Sequence, residues 1–194
     1  MHSVKIGASV PRRGNKLMQV IANSLFRVSG WRITGEIPDE KKFIIVVAPH
    51  TSNWDFILGL ITLFSLKMEI HWMGKHTIFR KPFAGLMKWL GGIPINRTSA
   101  SGVVNETVTA YKEKEKLIIT IAPEGTRQKV DKWKMGFYFI ARKAEIPIVI
   151  AKLDYGTRHI EFGPTIELTN DRDGDIQQIR DCFNDVTPRH TDRF

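Results

Sequence analysis

Phe43-Ile44-Ile45-Val46-Val47-Ala48-Pro49-His50-Thr51-Ser52-Asn53-Trp54-Asp55 is the stretch that decides how this chain folds. Its apolar run, with two Ile and two Val, reads as a buried strand. Pro49 ends the run and delivers His50 where the strand stops. Thr51, Ser52 and Asn53 are all residue types that cap helix N-termini, and an apolar stretch over 56–66 follows. His50 and Asp55 therefore share one strand-to-helix turn. Polar residues at the carboxyl ends of α/β strands are where ligands bind, so the pair reads as a base and its orienting carboxylate. A neutral imidazole takes a proton near neutral pH, and a carboxylate at the other ring nitrogen fixes its tautomer. Taken alone, the spacing fits a surface histidine beside a helix-favouring Asp better.

Outward from this turn the chain alternates. Residues 16–28 carry Leu17, Ile21, Leu25 and Val28 at helical spacing, predicting an amphipathic helix that is either docked on the core or interfacial on a membrane. Residues 1–15 read as a mobile basic arm, and 31–34 as a short strand followed by a turn made by Gly35 and Ile37-Pro38-Asp39. Alternation over 68–73, the short run 93–97, and the apolar runs 117–122 and 146–150 predict further strands. Helices are expected over 83–90, 98–116, 136–143 and 173–185, and a hairpin or edge pair over 158–162 and 165–168. The expectation is a single α/β domain over 16–194, with a central, largely parallel mixed sheet flanked by helices.

Two further polar clusters follow strands. Glu124-Gly125-Thr126-Arg127 leaves the run 117–122. Glycine permits close backbone approach, and arginine offers a fork for phosphate or carboxylate; a structural Glu–Arg pair in a turn is the plainer alternative. Arg97 ends the run 93–97, and with Lys75 and Arg127 it could clamp an anion. His71 alternates with apolar neighbours and reads as a core or surface histidine rather than a ligand, and His76, His159 and His190 show no metal-ligand spacing with Cys or acids. There is no G-x-S-x-G elbow, P-loop or dinucleotide fingerprint.

Charge is distributed unevenly. Residues 1–100 hold 14 Lys/Arg against 5 Asp/Glu, while 101–194 hold 15 against 15, so the whole net charge of +9 lies in the first half. This suits either an anionic partner or ordinary solubility. No signal peptide and no transmembrane span are expected. One cysteine excludes an internal disulfide and fits a reducing compartment.

Taken in order, these clusters resemble the glycerolipid acyltransferase family, which contains the 1-acylglycerol-3-phosphate (lysophosphatidate) acyltransferases. The family's His-x-x-x-x-Asp box matches His50 and Asp55, and its Glu-Gly-Thr-Arg box matches Glu124 to Arg127. Its middle arginine block resembles Ile93-Pro94-Ile95-Asn96-Arg97, and its late proline strand resembles Ile146-Pro147-Ile148-Val149. The likeness spans about 40–152. Pro49 and Gln128 depart from the family's commoner Asn and Ser, which bears on the acceptor. The resemblance implies acyl transfer from acyl-CoA or acyl-carrier protein to a lysophospholipid hydroxyl, by default that of lysophosphatidate. It implies His50 as general base and Asp55 as its orienting group. Arg97, Lys75 and the loop Glu124, Gly125, Thr126 and Arg127 would hold the acceptor phosphate, without metal or cofactor. Other acceptors are a different lysolipid or an acylated amino-acid lipid; a non-enzymatic basic lipid-binding domain is the main alternative. The expected partners are these substrates, an anionic membrane surface and an acyl-carrier protein, with no nucleic acid. The expected location is cytoplasmic, peripheral on the inner face of the cell membrane.

Overall fold

The computed structural model describes residues 3–96 and 99–194, with Ala100 described by its backbone alone. The predicted strand is β3, Lys42–Ala48, and it lies in the interior of an eight-stranded sheet. Both of its faces are buried. Phe43 and Ile45 belong to one core, Ile44 and Val46 to the other. That is why the run is continuous rather than alternating in character. On one side β3 pairs with β6, Leu117–Ile121, and on the other with β7, Ile148–Asp154, both in parallel. Beyond β6 come β4, His71–Lys75, and then β5, Gly92–Ile95. Beyond β7 come β8, His159–Ile166, then β2, Arg32–Ile37, and then β1, Ser3–Ile6. Among the described strand pairs only β7 with β8 is antiparallel. The architecture is a single α/β domain with a mostly parallel sheet.

Helices cover both faces. Val104, Val108 and Tyr111 of α4, Ala100–Glu113, pack on the Ile44 side, beside Phe137 and Ile140 of α5, Gly136–Ala144. Ile179 of α6, Arg172–Asp181, joins them. The other face holds Phe26 of α1, Lys16–Ser29, and Leu58 and Leu66 of α2, Asn53–Leu66. A short α3, Ala84–Trp89, precedes β5. Among the described residues no helix is long and apolar enough to cross a membrane.

Three expectations need correction. The segment taken as a mobile arm is built in from Ser3 onward. β1 pairs with β2 from Ser3↔Thr34 to Ile6↔Ile37, and Val4 and Ile6 pack against the core. Further on, Val10 is buried, and backbone bonds join Glu69 N–H to the Pro11 carbonyl (2.9 Å) and Arg13 N–H to the Lys67 carbonyl (3.0 Å). Gly35 does not turn the chain. It lies within β2 at φ 108, opposite Phe162 of β8. The segments 158–162 and 165–168 do not form a pair with each other: His159–Ile166 is one strand, with a bulge at Gly163-Pro164 where the β7 register shifts between Val149 and Ala151.

For α1 both a docked and an interfacial helix were open. Its apolar stripe faces outward, with Leu17 67%, Ile21 52%, Leu25 49% and Val28 89% exposed. The helix docks on α2 through buried Ala22 and Phe26 and through polar bonds. Gln19 Nε2 donates to the Ser65 carbonyl at 2.9 Å, and the Ser65 hydroxyl donates to Asn23 Oδ1 at 2.6 Å. Such bonds satisfy buried polar groups that water would otherwise serve. The ends are set by Asn15, whose side chain accepts from Met18 N–H, and by left-handed Gly30.

Candidate active site

Parallel registry decides which side chains meet at the end of β3. Ala48 stands opposite Lys152 of β7, so Tyr155 emerges beside the turn after β3. Val46 stands opposite Ile121 of β6, so Glu124 emerges on the other side. His50 lies between them.

Ser52 caps α2, and Asp55 closes a capping box. Asp55 Oδ2 accepts the Thr51 and Ser52 N–H groups, both at 2.8 Å, and lies 3.1 Å from His50 Nδ1. Asp55 Oδ1 accepts the Tyr155 hydroxyl at 2.6 Å. The Asp55 side chain is 3% exposed and that of His50 24%. Asp55 is thus fixed by its own helix start, and it fixes the ring of His50 in turn. With Nδ1 committed, Nε2 is the nitrogen left for a substrate.

Burial alone would raise the Asp55 carboxyl. The bonds from His50, Tyr155 and the Ser52 backbone outweigh it and hold the group below the usual carboxylate range. Burial and the neighbouring Asp55 charge push the Tyr155 phenol up, so it stays a donor. The Tyr155 ring stands edge-on to Trp31, with centroids 5.0 Å apart.

Glu124 turns inward. Its Oε1 accepts the His50 backbone N–H at 3.0 Å, and Oε2 is buried without a bonding partner among the described residues. Burial raises its carboxyl above the usual range, Asp55 adds to that, and backbone bonds and His50 only partly offset it. The sequence placed Glu124 with the phosphate-holding residues; its geometry instead faces the back of the histidine. No Glu124–Arg127 ion pair forms among the described residues. Gly125 adopts φ 64, and a Cβ there would meet the Lys134 side chain at 2.7 Å. Thr126 Oγ1 accepts Gln128 N–H at 3.4 Å. Arg127 is exposed at the mouth of a cleft beside Ser52 and Trp54. Lys75 ends β4, across β6 from β3, at the same edge of the sheet. Arg97 lies outside the described residues.

Three partners of the turn went unread in the sequence: Tyr155, and His190 and Arg193 near the C-terminus. His190 N–H donates to Thr51 Oγ1 at 3.3 Å, and Arg193 donates to the Thr51 carbonyl at 3.4 Å. The readable signal for Tyr155 was its place directly after a buried strand. Nothing local marked the other two. Among the described residues no three His, Cys, Asp or Glu gather to hold a metal. The Ser52 hydroxyl is used as a helix cap, and Cys182, at the end of α6, bonds to the Gln178 carbonyl. The arrangement offers a positioned base rather than a base paired with its own nucleophile.

A family profile described as Acyltransferase matches residues 30–151, a range that contains His50, Asp55 and Glu124 to Arg127 but ends before Tyr155. The crystal structure of the 1-acyl-sn-glycerophosphate (LPA) acyltransferase PlsC from Thermotoga maritima is similar in fold. Its TM-score is 0.60 at 16% sequence identity, covering 86% of this chain and 75% of that one. No curated protein matches the sequence significantly.

Proposed function

The chain belongs to the Acyltransferase family, and on that premise we propose that it moves a fatty acyl group from a thioester donor to the hydroxyl of a lysophospholipid. The default acceptor is 1-acylglycerol-3-phosphate, giving phosphatidic acid. The observation that carries the reading is the 3.1 Å contact of His50 Nδ1 with a buried carboxylate held ionised by three other donors.

In this scheme His50 Nε2 removes the acceptor's hydroxyl proton as that oxygen attacks the thioester carbonyl carbon. The tetrahedral intermediate collapses, the C–S bond breaks, and the departing thiolate takes the proton from the imidazolium. The products are an ester and a free thiol, with no cofactor consumed. Asp55 stabilises the transient imidazolium and keeps the ring aligned. Glu124 anchors the backbone of the base. Arg127 supplies charge for the acceptor phosphate, with Lys75, at the end of β4, and Arg97 as further candidates. General-base assistance of this kind contributes about 10²–10⁴-fold in rate. The donor is acyl-CoA or acyl-carrier protein.

The outward stripe of α1 supports action at a membrane surface. Leu17, Ile21, Leu25 and Val28 are exposed together, and Arg12, Arg13, Lys16 and Arg27 flank them. An exposed apolar stripe with basic flanks suits the interface of an anionic leaflet, so the proposed location is peripheral on the cytoplasmic face.

Lipid mass spectrometry tests the reaction. The protein is incubated with acyl-CoA and a mixture of lysophosphatidate, other lysophospholipids and acylated amino-acid lipids. A newly acylated product identifies the acceptor, with phosphatidic acid expected. The absence of any acylated product and of free thiol would overturn the proposal.

A further inference from the structure

After α6 the chain returns to the turn that carries the base. The Tyr155 N–H donates to the Thr187 carbonyl at 2.9 Å, and His190 and Arg193 bond to Thr51 as described above. Between them, the Arg189 guanidinium lies 5.4 Å from the Trp54 ring centroid and 5.7 Å from that of Tyr155. Residues 187–193 therefore strap across the start of α2. Under the strap is a cavity of about 420 Å³, whose wall includes Trp54, Arg127, Gln128, Arg189, His190 and Arg193.

The cavity is cationic without internal compensation. Three guanidinium groups line it, and among the described residues no acidic side chain does. The ion pair formed by one of them is Arg193 Nε with Asp192 Oδ2, at 3.8 Å, and that carboxylate is 77% exposed. Like charges gathered on a cavity wall repel one another, and an anion between them reverses the sign of the interaction. Guanidinium forks match phosphate oxygens two at a time. Stacking on Trp54 and Tyr155 limits the freedom of Arg189, so less is lost when it binds.

We infer that Arg189 and Arg193, from outside the family-matched range, join Arg127 in a binding site for the phosphate group of a substrate. The group is either the acceptor's headgroup phosphate or a phosphate of the thioester donor. Only the naming of these two substrates rests on the acyl-transfer reading.

The test uses the full chain and two probes, glycerol 3-phosphate for the acceptor and adenosine 3′,5′-bisphosphate for the donor. Calorimetry on the wild type is expected to detect binding of one of them, and the probe that binds identifies the source. Arg189→Gln and Arg193→Gln should each weaken that binding by about tenfold or more. Arg189→Lys should retain part of it, and added salt should weaken it in every form. Failure of both probes to bind the wild type, or unchanged binding in the double glutamine variant, would overturn the inference. A measurement independent of variant folding is phenylglyoxal labelling of the wild type, read by mass spectrometry. The binding probe should protect Arg189 and Arg193, and equal labelling with and without it counts against the site. Acyl transfer measured on the same preparations separates the two claims. Phosphate binding lost with these arginines, in a protein that acylates no lysolipid, retires the proposed function and leaves the site standing.

Discussion

Tyr155 and Asp55 are 100 residues apart, yet the tyrosine hydroxyl donates to Asp55 Oδ1 at 2.6 Å while Oδ2 faces His50. The carboxylate is therefore clamped from both sides. Removing the outer clamp should loosen the inner one. Tyr155→Phe keeps the ring against Trp31 and deletes only the hydroxyl. A bond to a charged group contributes about 1.5–3 kcal/mol, so kcat should fall by about tenfold or more with KM for the acceptor little changed. Unaltered kcat would show that Asp55 needs no second anchor.

Glu124 holds its proton more tightly folded than unfolded, because burial raises its carboxyl. Its contribution to stability is thus present in acid, below the unfolded value, and is lost as pH rises through the folded value. Glu124→Gln removes the charge and keeps an acceptor for the His50 N–H. The variant should melt at the same temperature as wild type or higher near about pH 8, with the gap narrowing towards about pH 4. A variant that melts lower at both ends would contradict the buried-charge account.

Leu25 and Val28 of α1 are 49% and 89% exposed, so charging them costs the fold little. Each would contribute about 1.5–3 kcal/mol if buried in lipid. Leu25→Glu with Val28→Glu should cut co-sedimentation with anionic vesicles by about tenfold or more and leave the melting temperature in place. Undiminished sedimentation would remove this helix from the membrane contact.

Two glycines separate backbone demand from helix propensity. A Cβ on Gly35 would lie 1.9 Å from the Phe162 carbonyl oxygen, at φ 108, whereas one on Gly59 of α2 meets nothing within 4 Å. Gly35→Ala should cost about 3 kcal/mol or more in denaturant titration, and Gly59→Ala should stabilise by about 0.5–1 kcal/mol. Similar effects at both sites would argue against the close β2–β8 approach.

What could be read from the sequence was local. The run 43–48 and the capping residues lie in one short stretch and form the strand and helix start they predict, and there His50 and Asp55 meet at 3.1 Å. The periodicity of α1 was equally visible, but periodicity gives a stripe and not the direction it faces; Ser65 meeting Asn23 decided that. β1 is short, half polar and paired only in tertiary structure, so it resembled an arm. Tyr155 and Glu124 reach the base through strand order, with β7 and β6 on either side of β3, and no local pattern encodes that order. The strap of Arg189 and Arg193 lies farther still, beyond every motif of the family.

His50 is the proposed base for acyl transfer. Thiol release from acyl-CoA in the presence of lysophosphatidate, compared between wild type and His50→Ala at matched melting temperature, tests it most directly. Loss of the rate by about 10²–10⁴-fold is the predicted result. Thiol release and phosphatidic acid formation at the wild-type rate in the alanine variant would contradict it.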